Sequence, residues 1–120
     1  MSKILIVDDS ITEITRYVKV LQKNGYEVIT ANCGEDGVEM AKAHSPDLIL
    51  MDIVMPGLNG FQATRQLSRD GSTKDIPVIM ITTKDQETDK VWAKRQGAKA
   101  YLTKPVSDNL LQETIQQVIG

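Results

Sequence analysis

The chain has 120 residues, 41% of them hydrophobic and 25% charged, a size and balance that fit one globular domain with one core. Its formal net charge of −2 gives no long-range attraction for phosphate backbones or anionic lipid heads, so nucleic acid and membrane surfaces are excluded as expected partners and other proteins are left. No apolar stretch approaches the roughly 20 residues of a membrane span, and the first residues lack the basic-then-apolar layout of a secretory signal, so the expected location is the cytoplasm.

In chain order, the first element is the apolar run Ile4–Val7, which stops at two adjacent aspartates, Asp8 and Asp9. Ile11, Ile14, Val18 and Leu21 then recur at three- and four-residue spacing, which predicts a helix that Asn24-Gly25 brings to an end. A second run, Val28–Thr30, precedes a helix over residues 34–44. The lone Cys33 cannot form an internal disulfide and reads as a small, partly buried apolar residue, while His44 falls near a helix C-terminus on the surface. Leu48–Met51 is the third run; Pro56-Gly57 reads as a turn, and Asn59-Gly60 opens a helix over 60–69. Val78–Ile81 is the fourth, followed by a helix over 86–96 that carries Trp92 and has Gly97 as its C-cap. Ala100–Leu102 and a last helix with Leu111, Ile115 and Val118 on one side complete the chain. Strands alternating with helices read as parallel βαβ units. The continuously apolar runs at 4–7, 48–51 and 78–81 are those of strands covered on both faces, so the fold class is a (βα)5 three-layer α/β sandwich.

In such a sheet, ligands bind beyond the carboxyl ends of the strands, where the strand order reverses. Asp8 and Asp9 end the first strand and Asp52 ends the third, so neighbouring strands would bring three carboxylates to one edge. Two unit charges about 4 Å apart repel by roughly 4 kcal/mol at an effective dielectric near 20, a cost that packing alone does not offset. A dication reverses the sign. With no His or Cys nearby, carboxylate oxygens suit a hard ion such as Mg²⁺. The plainer alternative is that Asp9 or Ser10 simply caps the following helix. Thr82 and Lys104 arrive at the same edge from the fourth and fifth strands. Taken singly, each is an ordinary surface or strand-end residue, but a carboxylate nucleophile, a dication, a hydroxyl and a fixed ammonium together are the parts needed to receive a phosphoryl group.

The motifs "VDDS", "LMDIVMPGLNG", "ITT" and "YLTKP" resemble, in order and spacing and over the whole chain, the response-regulator receiver domains of two-component signalling. "DIVMPGLNGFQATRQL" and "TTKDQETDKVWAKRQGA" are similar to the PilH-type receivers of chemosensory systems that control type IV pili and twitching motility. The resemblance implies a CheY-like, flavodoxin-like five-stranded sheet of order 2-1-3-4-5, as a single receiver domain over residues 1–120 with no output domain. It also implies that Asp52 accepts a phosphoryl group from a phosphohistidine on a partner histidine kinase. Asp9 would bind Mg²⁺ directly, Asp8 largely through water, and the backbone carbonyl of Val54 would be a third protein ligand besides Asp52. Thr82 would meet the phosphoryl oxygens, and Lys104 would pair with Asp52 at rest and with the phosphoryl group afterwards. Tyr101 would follow Thr82 inward and change the face built from the fourth helix, fifth strand and fifth helix, where a downstream protein binds; a plain core role for Tyr101 is the alternative. Lys104-Pro105 is a candidate cis peptide on the same resemblance, the chain is expected to act as a monomer, and His44 is no phosphodonor.

Val54 and Lys84 lie two residues beyond Asp52 and Thr82, beside the path by which water would attack an acyl phosphate. Val54 cannot orient that water, so slow self-dephosphorylation is expected, with self-phosphorylation the only other chemistry of the chain. Three rivals remain. A dehalogenase-type phosphohydrolase wants a second aspartate two positions after the first, where Val54 stands. A flavodoxin-like electron carrier wants a hydroxyl-rich phosphate loop where Asp8 and Asp9 stand. The third, a docking module that keeps the receiver fold without using its chemistry, is the alternative function.

Overall fold

The computed structural model describes residues 2–120. Five strands alternate with five helices: β1 (Lys3–Val7), α1 (Ile11–Lys23), β2 (Glu27–Ala31), α2 (Gly34–His44), β3 (Leu48–Met51), α3 (Gly60–Arg69), β4 (Val78–Thr82), α4 (Glu87–Arg95), β5 (Ala100–Thr103) and α5 (Asp108–Ile119). The strands form one parallel sheet in the order β2-β1-β3-β4-β5, as expected of a CheY-like sandwich.

Alternation along the buried strands divides the core into two halves. Leu5, Val7, Ile49, Met51, Val78 and Met80 pack with Val38 and Ala41 of α2, Ala63 and Leu67 of α3 and Ala93 of α4. Ile4, Ile6, Leu48, Leu50, Ile79 and Ile81 face the other way, against Tyr17, Val20 and Leu21 of α1 and Leu111 and Ile115 of α5. Two-sided cover explains why these three strands carry no polar residue along their inner lengths.

The helix ends follow local chemistry. Ser10 caps α1, its hydroxyl oxygen accepting from the Glu13 N–H at 3.3 Å, so Ser10 and not Asp9 does the capping. Asn59 and Gln62 form a reciprocal capping box at the start of α3. Cys33 is half-buried and acts as the N-cap of α2, its Sγ accepting from the Asp36 N–H at 3.4 Å. The apolar repeat of α1 is unevenly covered, and one sequence expectation, Gly97 as the C-cap of α4, needs correcting. The buried stripe of α1 is Tyr17, Val20 and Leu21, whereas Ile11 is 77% exposed, because Ser10 as cap makes Ile11 the first helical residue, at the rim of the sheet. Gly97, with φ of +108°, stands one position beyond the C-cap of α4, which is Gln96.

Candidate functional site

The register carries Asp8 and Asp52 to the same edge, since Val7 pairs with Met51 on the adjacent strand. Backbone hydrogen bonds hold both in place: Asp8 N–H donates to the Ala31 carbonyl at 3.2 Å and Asp52 N–H to the Val7 carbonyl at 2.9 Å. On the far side, Lys104 N–H donates to the Thr82 carbonyl at 2.7 Å, and the Lys104-Pro105 bond is cis, as the motif leads one to expect.

One carboxylate oxygen from each of Asp8, Asp9 and Asp52 lies within 4.8 Å of the others. Asp9 is exposed, whereas Asp8 and Asp52 are only 2% and 6% exposed. Lys104 Nζ donates to Asp8 Oδ2 at 2.8 Å and stands 3.7 Å from Asp52 Oδ2, so its hydrogen bond goes to Asp8 and it pairs with Asp52 at longer range. The more deeply buried carboxylate has the greater need of a counter-charge. The other Asp8 oxygen accepts from the Ser10 N–H at 2.9 Å, so both oxygens of Asp8 are engaged, whereas Asp9 is exposed.

Burial raises the Asp52 pKa above the ordinary carboxylate range, and the Asp8 charge adds to this; Lys104 and the Thr82 hydroxyl act the other way without cancelling it. For Lys104, burial pulls the pKa down, but the hydrogen bond to Asp8 and the fields of Asp52, Asp8 and Glu13 outweigh it, so the ammonium stays charged. The donor set is all carboxylate oxygen, which is the chemistry of a site for a hard dication.

Thr82 is fully buried at the end of β4, and its Oγ1 accepts from the Lys84 N–H at 3.4 Å. Tyr101 is half-buried against the α2–α4 half of the core, and its hydroxyl donates to the Lys84 carbonyl at 2.7 Å. Burial first, then the charges of Asp89, Asp85 and Asp52, push its pKa up to about 12. Val54 is 55% exposed beside Asp52, and Trp92 is 47% exposed on α4.

Sequence reasoning missed two contributors. A Cβ on Gly60 would lie 2.2 Å from the Asp52 carbonyl oxygen and 2.7 Å from Ile53 Cα, so Gly60 lets α3 begin directly against the backbone of the Asp52 loop. Asn59-Gly60 was legible as a helix start, but not this approach. Tyr17, 1% exposed, donates to Glu13 Oε2 at 2.6 Å and fixes a fourth carboxylate whose field reaches Lys104. Their spacing of four on one helix was the available signal.

With an acidic trio, a buried hydroxyl and an ammonium gathered at the carboxyl edge of a 2-1-3-4-5 sheet, the chain belongs to the response regulator receiver domain family, whose profile matches residues 4–116. Over its full length it is 60% identical to Protein PilH of Pseudomonas aeruginosa, covering 99% of that protein. Among solved structures it is similar to the chemotaxis protein CheY4 of Vibrio cholerae, with a TM-score of 0.93 and 35% identity over 98% of both chains. It also resembles the receiver domain of a sensor histidine kinase of P. aeruginosa, with a TM-score of 0.91 and 31% identity over 99% of this chain and 98% of that one; that structure holds a magnesium ion in its active-site cleft. No helix among the described residues is long and apolar enough to cross a membrane.

Proposed function

We propose that the chain is a response regulator that takes a phosphoryl group onto Asp52 from a phosphohistidine of a chemosensory-type histidine kinase. The observation that carries this reading is the convergence of Asp8, Asp9, Asp52, Thr82 and Lys104 at one sheet edge. An Asp52 oxygen attacks phosphorus in line, the P–O bond forms as the P–N bond of the donor breaks, and the imidazole leaves with the electron pair. Asp9 and Asp52, with the Val54 carbonyl, would hold Mg²⁺, and Asp8 would hold it through water. When bound, the ion supplies charge neutralisation between the carboxylates and the incoming phosphoryl oxygens. The Thr82 hydroxyl donates to one phosphoryl oxygen. Lys104 swings from its carboxylate partners to another, which its flexible stem permits.

Signalling follows from differential contacts. Thr82 moving toward the phosphoryl group leaves space for Tyr101, which alters the face of α4, β5 and α5 where a downstream protein binds; phosphorylation shifts a population that already exists. Similarity to PilH supports a place in type IV pilus and twitching control, as signal carrier or as phosphate sink. We read the chain as a cytoplasmic monomer.

The test is intact mass after incubation with Mg²⁺ and acetyl phosphate. A Mg²⁺-dependent phosphate adduct is expected in the wild type and absent from Asp52→Ala. No adduct, even with candidate kinases added, would favour a docking module that does not use the chemistry.

A further inference from the structure

Beyond the carboxyl-edge cluster, a second ion pair stands on the loop after β4. Lys84 engages three neighbours through three different atoms. Its N–H donates to Thr82 Oγ1 at 3.4 Å, its carbonyl accepts the Tyr101 hydroxyl at 2.7 Å, and its Nζ lies 3.7 Å from Asp89 Oδ1. Asp89 is committed twice, because Oδ2 also accepts from the Gln86 N–H at 3.4 Å, across the first turn of α4. The Asp89 charge reaches Tyr101 as well. Hydroxyl, aromatic switch and helix start therefore meet at one lysine.

We propose that Asp89 is a positioning residue for phosphoryl transfer: it holds the Lys84 ammonium against α4 in the unphosphorylated protein, and the phosphoryl group on Asp52 draws that ammonium away. The inference rests on the reading of Asp52 as acceptor. A phosphoryl group brings nearly two negative charges and three acceptor oxygens against the single charge of Asp89, so it wins the competition. Lys84 can make the move because its backbone already touches the hydroxyl that faces Asp52 and its four-carbon stem is flexible. Lys104 is less free, being 12% exposed and bonded to Asp8, whereas the Lys84 side chain is 40% exposed. The exchange removes the carboxylate's partner at the start of α4, so occupancy of Asp52 is felt on the face that carries Trp92. By linkage, whatever Asp89 contributes to holding Lys84 opposes phosphorylation by the same factor.

The experiment compares four variants with wild type at sub-saturating acetyl phosphate and Mg²⁺, reading the phosphorylated fraction by intact mass and α4 by Trp92 emission. Asp89→Asn keeps an oxygen for the Gln86 N–H and deletes the charge; it is expected to raise the phosphorylated fraction about two- to fivefold, the range open to a half-exposed pair. Its resting emission should move toward the phosphorylated value. Lys84→Met leaves the cap of α4 untouched and should lower the fraction. Lys84→Met/Asp89→Asn should match Lys84→Met, because Asp89 acts only through Lys84, and Asp89→Glu should restore wild-type behaviour. An Asp89→Asn fraction equal to wild type overturns the inference. So does an Asp89→Asn effect that persists in the Lys84→Met background. A wild type that takes no adduct overturns the reading of Asp52, and this inference with it.

Discussion

Lys104→Met tests how the buried charges at the sheet edge are balanced. The substitution keeps an unbranched apolar stem and deletes the ammonium. At an effective dielectric near 20, Lys104 attracts Asp8 at 2.8 Å by about 6 kcal/mol and Asp52 at 3.7 Å by about 4.5 kcal/mol, while the two carboxylates, within 4.8 Å, repel by roughly 3.5 kcal/mol. Desolvating the ammonium costs several kcal/mol, so the expected net loss is about 3–5 kcal/mol at pH 7, the range found when one partner of a buried ion pair is removed. Urea unfolding followed by circular dichroism and Trp92 emission measures it, and the midpoint should fall with an unchanged m-value. The pH dependence carries a sign. Burial already places the folded pKa of Asp52 above its ordinary 3.8, and losing Lys104 raises it further. A raised acid contributes stability below the unfolded pKa that is lost as pH rises through the folded one, so the variant's deficit should be small near pH 4 and grow above it. The folded pKa of Lys104 lies above 10.5, so once the carboxylates are ionised its contribution to the wild type should hold up to pH 10.5 and be lost as pH rises through the folded value. Mg²⁺ should restore more stability to the variant than to the wild type, since the dication takes over part of the neutralisation. A loss below about 1 kcal/mol at pH 7, or one that grows on acidification, would refute this balance.

Three further outcomes are expected. Val54→Asn places an amide that can orient water beside the acyl phosphate and should shorten its lifetime, measured as decay of the phosphate adduct by mass; an unchanged rate counts against Val54 as the cause of slow hydrolysis. Gly60→Ala pushes a methyl to within 2.2 Å of the Asp52 carbonyl oxygen and should lower thermal stability by about 1–3 kcal/mol, with a matching displacement of Asp52 amide resonances; a neutral effect would mean that α3 can withdraw. Leu21→Ala should cost about 2–5 kcal/mol in chemical denaturation and Ile11→Ala under about 0.5 kcal/mol, and comparable costs would contradict the face assigned to α1.

The sequence announced most of this architecture because its strands are buried on both faces. LILM and VIMI have no helical alternative at their length, and Asp52 and Thr82 were placed at strand ends by the residues before them. What stayed hidden depends on distance between segments far apart in the chain. No spacing tells whether Lys104 favours Asp8 or Asp52, a choice made by a few per cent of accessible surface and about an ångström of separation. The helix α1 was legible from its apolar repeat, but not the exposure of Ile11, because an apolar residue at a helix start satisfies the same periodicity as one in mid-helix and only the rim of the sheet decides which is covered. Tyr17 and Asp89 went unnoticed because a polar residue on a helix reads as solvated until its partner is known.

The sheet also works as a partition. Side chains that point toward α1 and α5 share no packing surface with those that point toward α2, α3 and α4, although they alternate along the same strands. Volume changes in one chamber are therefore absorbed locally and should combine additively with changes in the other. A lineage can remodel the helices that meet one set of partners, residue by residue, without disturbing the wall from which the opposite set is hung. The strand tips that carry the chemistry sit on that wall, and divergence of either chamber leaves them where they are.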